Sequence, residues 1–110
     1  MMVQQLAARP EFTVLNQGDL NPELTRVFTC DLLSVCMSKA PAGGVWVTVM
    51  GNMNAIAVAV LTDTGCIILA DGTPLDENGM KKAQQQGVTV LQSKQPVFET
   101  ALLVHELIHA

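Results

Sequence analysis

Apolar residues in this chain come in short blocks set apart by polar, turn-forming punctuation, and the clearest succession runs from Val45 to Pro74. Val45–Met50 (VWVTVM) is apolar and rich in β-branched residues, and Gly51-Asn52 interrupts it. Met53–Leu61 is an apolar run of helical length, Gly65 stops it, and Cys66–Ala70 (CIILA) is a second short apolar run. Apolar strands without alternation are buried on both faces, so this pattern predicts a βαβ unit in a parallel sheet. A hairpin, IAVAVLT-DTG-CIILA, fits the same letters. Alanine at 55, 57 and 59 favours the helix, because alanine forms helices well and strands poorly.

The remaining blocks extend the alternation. Met2 to Ala8 reads as a short helix stopped before Pro10, and Glu11 to Leu15 as a strand, followed by the turn-rich NQGDLNP. Thr25 to Cys30 reads as a strand, with Asp31 as N-cap of a helix through LLSVCM that ends in Lys39-Ala-Pro-Ala-Gly-Gly. Asn52 is expected to cap the helix Met53 to Leu61, and Gly65 to follow its end in the left-handed conformation. Asp76 caps a polar helix, Glu77 to Gln86, closed by Gly87; Val88 to Leu91 is the last strand, and Pro96 opens the final helix. The prediction is an α/β fold with helices on both faces of a mostly parallel sheet of about five strands, residues 1–110 forming one domain.

Composition narrows the function. The chain is 49% hydrophobic with a mean hydropathy of +0.33, which points to apolar surface hidden in a homodimer. Its longest unbroken apolar run, Ala55 to Leu61, falls far short of the roughly 20 residues of a membrane span. The first residues, MMVQQLAARPEF, lack the pattern of a secretory signal, so a cytoplasmic location is expected. A net charge of −4 with no basic stripe argues against a nucleic-acid partner. Cys30, Cys36 and Cys66 form no C-x-x-C and read as small buried hydrophobes in a reducing compartment.

Two strings look catalytic. His105-Glu106-Leu107-Ile108-His109 matches H-E-x-x-H, in which i and i+4 histidines hold zinc and the glutamate activates water. These are the only histidines, so a third ligand has to come from an upstream carboxylate or thiolate, and the end of a terminal helix frays. Asp63-Thr64-Gly65 matches the tripeptide of dimeric aspartic proteases, whose all-β architecture differs from the alternation here. A helix end and turn explain it more simply. No serine or cysteine pairs with a base in sequence, and G-x-x-x-x-G-K-[ST] is absent. No catalytic residue, metal ligand or cofactor is therefore assigned; a zinc hydrolase using His105, Glu106 and His109 ranks last among the alternatives.

Ligands of open parallel sheets bind at the carboxyl ends of strands. Gly51-Asn52-Met53-Asn54, Asp71-Gly72-Thr73-Pro74 and Gln92-Ser93-Lys94-Gln95 are expected to converge there. Free helix amides and small polar side chains suit a phosphate or other anion. The candidate ligand-binding residues are Gly51, Asn52, Asn54, Asp71, Gly72, Thr73 and Ser93, with Lys94 the one cation nearby.

CDLLSVCM, VWVTVMGNMNAIAVAVL, CIILADGTP and VLQSKQPVFETALLVHEL, in that order, resemble the DRTGG domain, a small α/β module related to the N-terminal domain of HPr kinase/phosphorylase. The resemblance runs from about Val3 to Ile108 and is closest to stand-alone bacterial members without a kinase domain. It implies a three-layer α/β/α sandwich, often dimeric, and a regulatory role; the module occurs beside CBS pairs in regulated pyrophosphatases and within some phosphate acetyltransferases. Asn54 and Phe98 stand where fuller family matches tend to have Asn and Phe. The name-giving motif is degenerate here: Asn21–Phe28 reads NPELTRVF, with no paired glycines after Thr25. The expected function is a non-enzymatic regulatory module sensing a nucleotide or other small anion as a homodimer. The alternative is an interaction domain that dimerises or docks on a partner enzyme and takes no small ligand.

Overall fold

A computed structural model describes residues 1–110. In chain order the elements are α1 (Val3–Ala7), β1 (Phe12–Asn16), β2 (Val27–Thr29), α2 (Leu33–Lys39), β3 (Val45–Thr48), α3 (Met53–Leu61), β4 (Cys66–Leu69), α4 (Glu77–Gln86), β5 (Val90–Ser93) and α5 (Val97–Ile108). The sheet order is β1-β5-β4-β3-β2. Strands β2 to β5 are mutually parallel, and β1 runs antiparallel to β5 with Phe12 opposite Ser93.

β3 and β4 lie at the centre of the sheet, and every residue of both is buried. Their side chains alternate between two cores. Val45, Val47, Cys66 and Ile68 face α1 and α5, where they meet Val3, Leu6 and Val104. Trp46, Ile67 and Leu69 face the opposite layer, against Cys36 of α2, Ala55, Ile56 and Ala59 of α3, and Ala83 of α4. This is a three-layer α/β/α sandwich. Full burial of a side chain such as Ile67 or Ile68 contributes roughly 1.5–3 kcal/mol, and the alanines of α3 let that helix sit close to the sheet. The indole of Trp46 donates to the Cys30 carbonyl (2.9 Å), so its one polar atom is satisfied in the core.

Because β2, β3, β4 and β5 are neighbours in sequence order, their right-handed crossovers put α2, α3 and α4 on one face. After β5 the chain changes sides, and α5 crosses back over β3 to β2.

Several expectations need correction. The Met53–Leu61 segment is a helix, as its alanines indicate, but the left-handed residue after it is Asp63 (φ 56°), not Gly65. The helix closes with Asp63 N donating to the Val60 carbonyl (3.2 Å) and Thr64 N to the Ala59 carbonyl (2.9 Å), a pair of bonds that requires the left-handed residue at position 63, and aspartate tolerates that region. Gly65 is small for another reason: a Cβ there would meet Leu24 Cδ2 at 2.7 Å. Asp31 does not cap α2, which starts after Leu32; its carboxylate instead accepts from the Thr48 hydroxyl (2.6 Å) and the Val49 amide (3.0 Å). β2 is shorter than Thr25 to Cys30. The last strand lies at Val90–Ser93 rather than Val88–Leu91, since Val88 still closes α4 through the Ala83 carbonyl (3.0 Å). Asp76 and Gly87 do bound α4 as predicted, the first accepting from Gly79 N (2.7 Å), the second left-handed at φ 68°. No helix is long and apolar enough to cross a membrane.

Candidate functional site

The loops after β3 and β4 are built against each other. Asn52 caps α3, its Oδ1 accepting from Ala55 N (3.0 Å). Gly51 accepts from Asp76 N (2.9 Å), and a Cβ on Gly51 would overlap the Pro74 carbonyl oxygen. This close approach is what requires glycine here. Asp71 (φ 57°) and Gly72 (φ 64°) are consecutive left-handed residues in a tight turn closed by Thr73 N to the Ala70 carbonyl (3.0 Å).

That turn is sewn to the end of β5. Asp71 N donates to the Gln95 carbonyl and Gly72 N to the Ser93 carbonyl, each at 2.8 Å. The Gln92 side-chain amide donates to the carbonyls of Gly72 (3.2 Å) and Thr73 (3.0 Å). Asn54 is exposed at the start of α3. Thus Gly51, Asn52, Asp71, Gly72, Thr73 and Ser93 come together at one sheet edge, largely occupied with bonds to one another. Ser93 is 3% exposed; its hydroxyl lies 2.9 Å from the Thr100 hydroxyl and accepts from Gln95 N (3.1 Å).

The open space lies beside this edge, on the α5 face. Pro10, Glu11, Thr13, Gln92, Ser93, Lys94, Gln95, Glu99, Thr100 and Leu103 line a mainly polar cleft of about 520 Å3. Its walls are β1, the end of β5 and the first turns of α5. Strand topology explains the location. The parallel strands follow one another without reversal, so no crevice opens between them; the chain changes faces only after β5. Of the sequence candidates, Ser93 alone lines the cleft. Glu11, Thr13, Glu99 and Thr100 were missed, since no local signal shows β1 pairing back onto β5.

Charge in the cleft is balanced. Arg9 grips Glu11 with two bonds, 3.1 and 2.7 Å, and these hold the Glu11 carboxyl below its ordinary range. Lys94 and Glu99 supply one charge of each sign. The first amides of α5 carry no side-chain cap. The thiols lie elsewhere, and burial pushes Cys36 and Cys66 up to about 12, opposite to the shift a nucleophile needs.

The two catalytic-looking strings resolve as geometry. Asp63-Thr64-Gly65 forms the turn after α3, with Asp63 O accepting from Gly43 N (2.8 Å). His105 and His109 stand together on α5, ring centroids 4.3 Å apart, without a third His, Cys, Asp or Glu placed to complete a metal cluster.

The DRTGG domain model matches residues 5–107. The chain belongs to the DRTGG domain family. A crystal structure of the CBS and DRTGG domains of the regulatory region of Clostridium perfringens pyrophosphatase, complexed with the activator diadenosine tetraphosphate, superposes on this DRTGG domain with a TM-score of 0.69. Identity is 11%, and the match covers 84% of this chain and 41% of that one, so the likeness is one of fold and spans less than half of that regulatory region. No curated protein matches the chain.

Proposed function

We propose that this DRTGG domain is a non-enzymatic regulatory module that binds a small polar ligand in the cleft between β1, β5 and α5. The cleft itself carries the reading: about 520 Å3 of polar-lined space where the chain changes faces, in a structure whose other carboxyl-edge loops are closed on themselves. A nucleotide is the favoured class, its hydroxyl and base edges matched by the exposed Thr13, Gln95 and Glu99. The balanced charge gives phosphates no strong electrostatic attraction, so affinity rests on hydrogen bonds and on the uncapped α5 amides. The CBS and DRTGG domains of the pyrophosphatase's regulatory region, crystallised with a dinucleotide activator, support the class of ligand. The raised thiols and the absence of any base beside Ser93 support a role without chemistry of its own.

The test is thermal unfolding with adenine and guanine nucleotides, phosphate and acetyl-CoA. A ligand at about 100 times its Kd stabilises by roughly 2.7 kcal/mol, a shift on the order of 10 °C for a domain of this size. Lys94→Ala and Thr13→Ala, both at exposed positions, are expected to reduce that shift, and Asn54→Ala to leave it unchanged. The opposite pattern moves the ligand to the loops after β3 and β4; no shift with any compound sinks the ligand reading.

A second observation favours a protein-binding role. β2 forms an open sheet edge, and beside it α5 exposes Phe98 (69%) and Leu102 (43%). With Val27, Thr29, Ala101 and His105 these form a shallow, mostly apolar hollow of about 250 Å3. A second copy of the chain is the proposed occupant, giving the homodimer that the composition favours. Sedimentation velocity on wild type and Phe98→Glu decides: a dimer converted to monomer supports the reading, and a wild-type monomer at high concentration ends it.

A further inference from the structure

Cys30 follows β2 and Cys36 lies early in α2, and a single carbonyl gathers them both. Leu32 O accepts from the Cys36 amide (3.0 Å) and from the Cys30 thiol (3.5 Å). The two side chains pack into the same core, beneath α2 and α3, with Cys36 fully enclosed and Cys30 half-buried at the margin. There the thiols bond to each other; burial first, and then this bond to Cys30, push the Cys36 thiol up to about 12. The backbone around Cys30 is held in place. Its carbonyl accepts from the Trp46 indole (2.9 Å), and the next residue, Asp31, accepts from Thr48 and Val49.

Access separates the three thiols. Cys30 is open to solvent in part, whereas Cys36 is buried behind it. Cys66 is fully buried in the opposite core, on the α1 and α5 side of the sheet, and has no part in the pair. A reagent from solution therefore meets Cys30 first and finds a second sulfur already beside it. Asp31, Leu32 and Val35 lie in the short loop that a bond between the two would close, and Leu32 and Val35 are exposed.

We propose that Cys30 and Cys36 form a redox-modification site, which a low-molecular-weight disulfide of the glutathione class converts to an intramolecular disulfide fastening the start of α2 to the end of β2. Cys30 loses its proton to water and attacks one sulfur of the small disulfide, forming a mixed disulfide and releasing one small thiolate. Cys36 then loses its proton, attacks the Cys30 sulfur and expels the second small thiolate. The two thiolates take up the two protons, so the small disulfide gains the two electrons that the protein thiols lose. Closing is the slow step, because little Cys36 is thiolate at neutral pH, and it quickens about tenfold per pH unit while that thiol stays mostly protonated. In a reducing compartment the bond is transient and reports the local thiol poise.

The test is incubation of the folded full chain with glutathione disulfide, followed by alkylation of the remaining thiols in denaturant, intact-mass measurement and peptide mapping. Wild type is expected to lose two hydrogens, to keep Cys66 as its one alkylatable thiol, and to yield a Cys30–Cys36 linked peptide. Cys36→Ala, which keeps the core apolar, is expected to stop at a glutathione adduct on Cys30. Cys30→Ser is expected to stay unmodified, because neither remaining thiol is accessible. In hydrogen exchange the oxidised wild type protects the amides of α2 more than the reduced form does and leaves those of α4 unchanged. A wild type that accumulates the Cys30 adduct without closing, that links two chains through Cys30, or that keeps all three thiols overturns the proposal. So does modification of Cys36 in Cys30→Ser, which would mean that Cys30 is not the point of entry. A bond that forms without added protection of α2 overturns the fastening.

Discussion

The loops after β3 and β4 and the cleft beside β5 are adjacent, both carry many polar groups, and they are opposite in what they do with them. In the loops almost every polar group has an internal partner: Asn52 caps α3, Asp76 N meets Gly51 O, and Gln92 ties down Gly72 and Thr73. In the cleft, Thr13, Lys94, Gln95 and Glu99 line open space. Polar groups at a strand end thus either close the loops on one another or face open space. Which one applies depends on whether neighbouring loops already fill the space.

This contrast is sharpest at Gly51. Gly51→Ala places a Cβ on the Pro74 carbonyl oxygen and has to prise the two loops apart. Urea unfolding is expected to show a loss of about 3 kcal/mol; a change within experimental error would mean the loops are not locked. Asp31→Ala comes next. It strips the Thr48 hydroxyl and Val49 amide of their shared acceptor at the end of β3, with an expected cost of about 1–3 kcal/mol by the same measurement. Asn52→Ala removes only a helix cap, for about 1 kcal/mol. If it also abolished a ligand-induced shift, the loops would have to be counted as part of the binding site after all.

The smallest effect belongs to the cleft. Glu11 is held below its ordinary range, so its ion pair with Arg9 adds stability above the unfolded carboxyl pKa, about 4.3, and loses it as pH falls through the lowered folded value. Both side chains are exposed, so the contribution is slight and screened by salt. Acid titration of wild type against Glu11→Gln at low ionic strength should show the two curves converging below that range. Curves that stay parallel to the most acidic pH would mean the pair adds nothing.

The sequence discloses these two regions unequally. The βαβ core was legible because Val45–Thr48 and Cys66–Leu69 are buried throughout and their apolar runs say so. The caps Asn52 and Asp76 were legible because capping is local, set by a side chain and an amide three residues on. Asp31 misled because an aspartate ahead of an apolar run caps only if no better donor competes, and the end of β3 offered two. Asp63 displaced Gly65 as the left-handed residue because the helix closes through Asp63 N to the Val60 carbonyl and Thr64 N to the Ala59 carbonyl, two residues before the glycine. The cleft was hidden for a different reason. It exists only because Phe12 pairs with Ser93, a contact between distant segments that leaves no periodic trace in either.

That long-range pairing also orders the assembly of the molecule in time. Each parallel pair from β2 to β5 is joined through a single helix, whereas β1 reaches β5 only after almost all the intervening chain has found its place. Closing so long a loop costs more entropy than closing any one crossover. The expectation is that β1 joins the sheet after the parallel strands, with amides that exchange with solvent sooner than those of β4. A ligand gripping Thr13 and the end of β5 would act as a latch on that motion, turning occupancy of the cleft into the lifetime of a sheet edge.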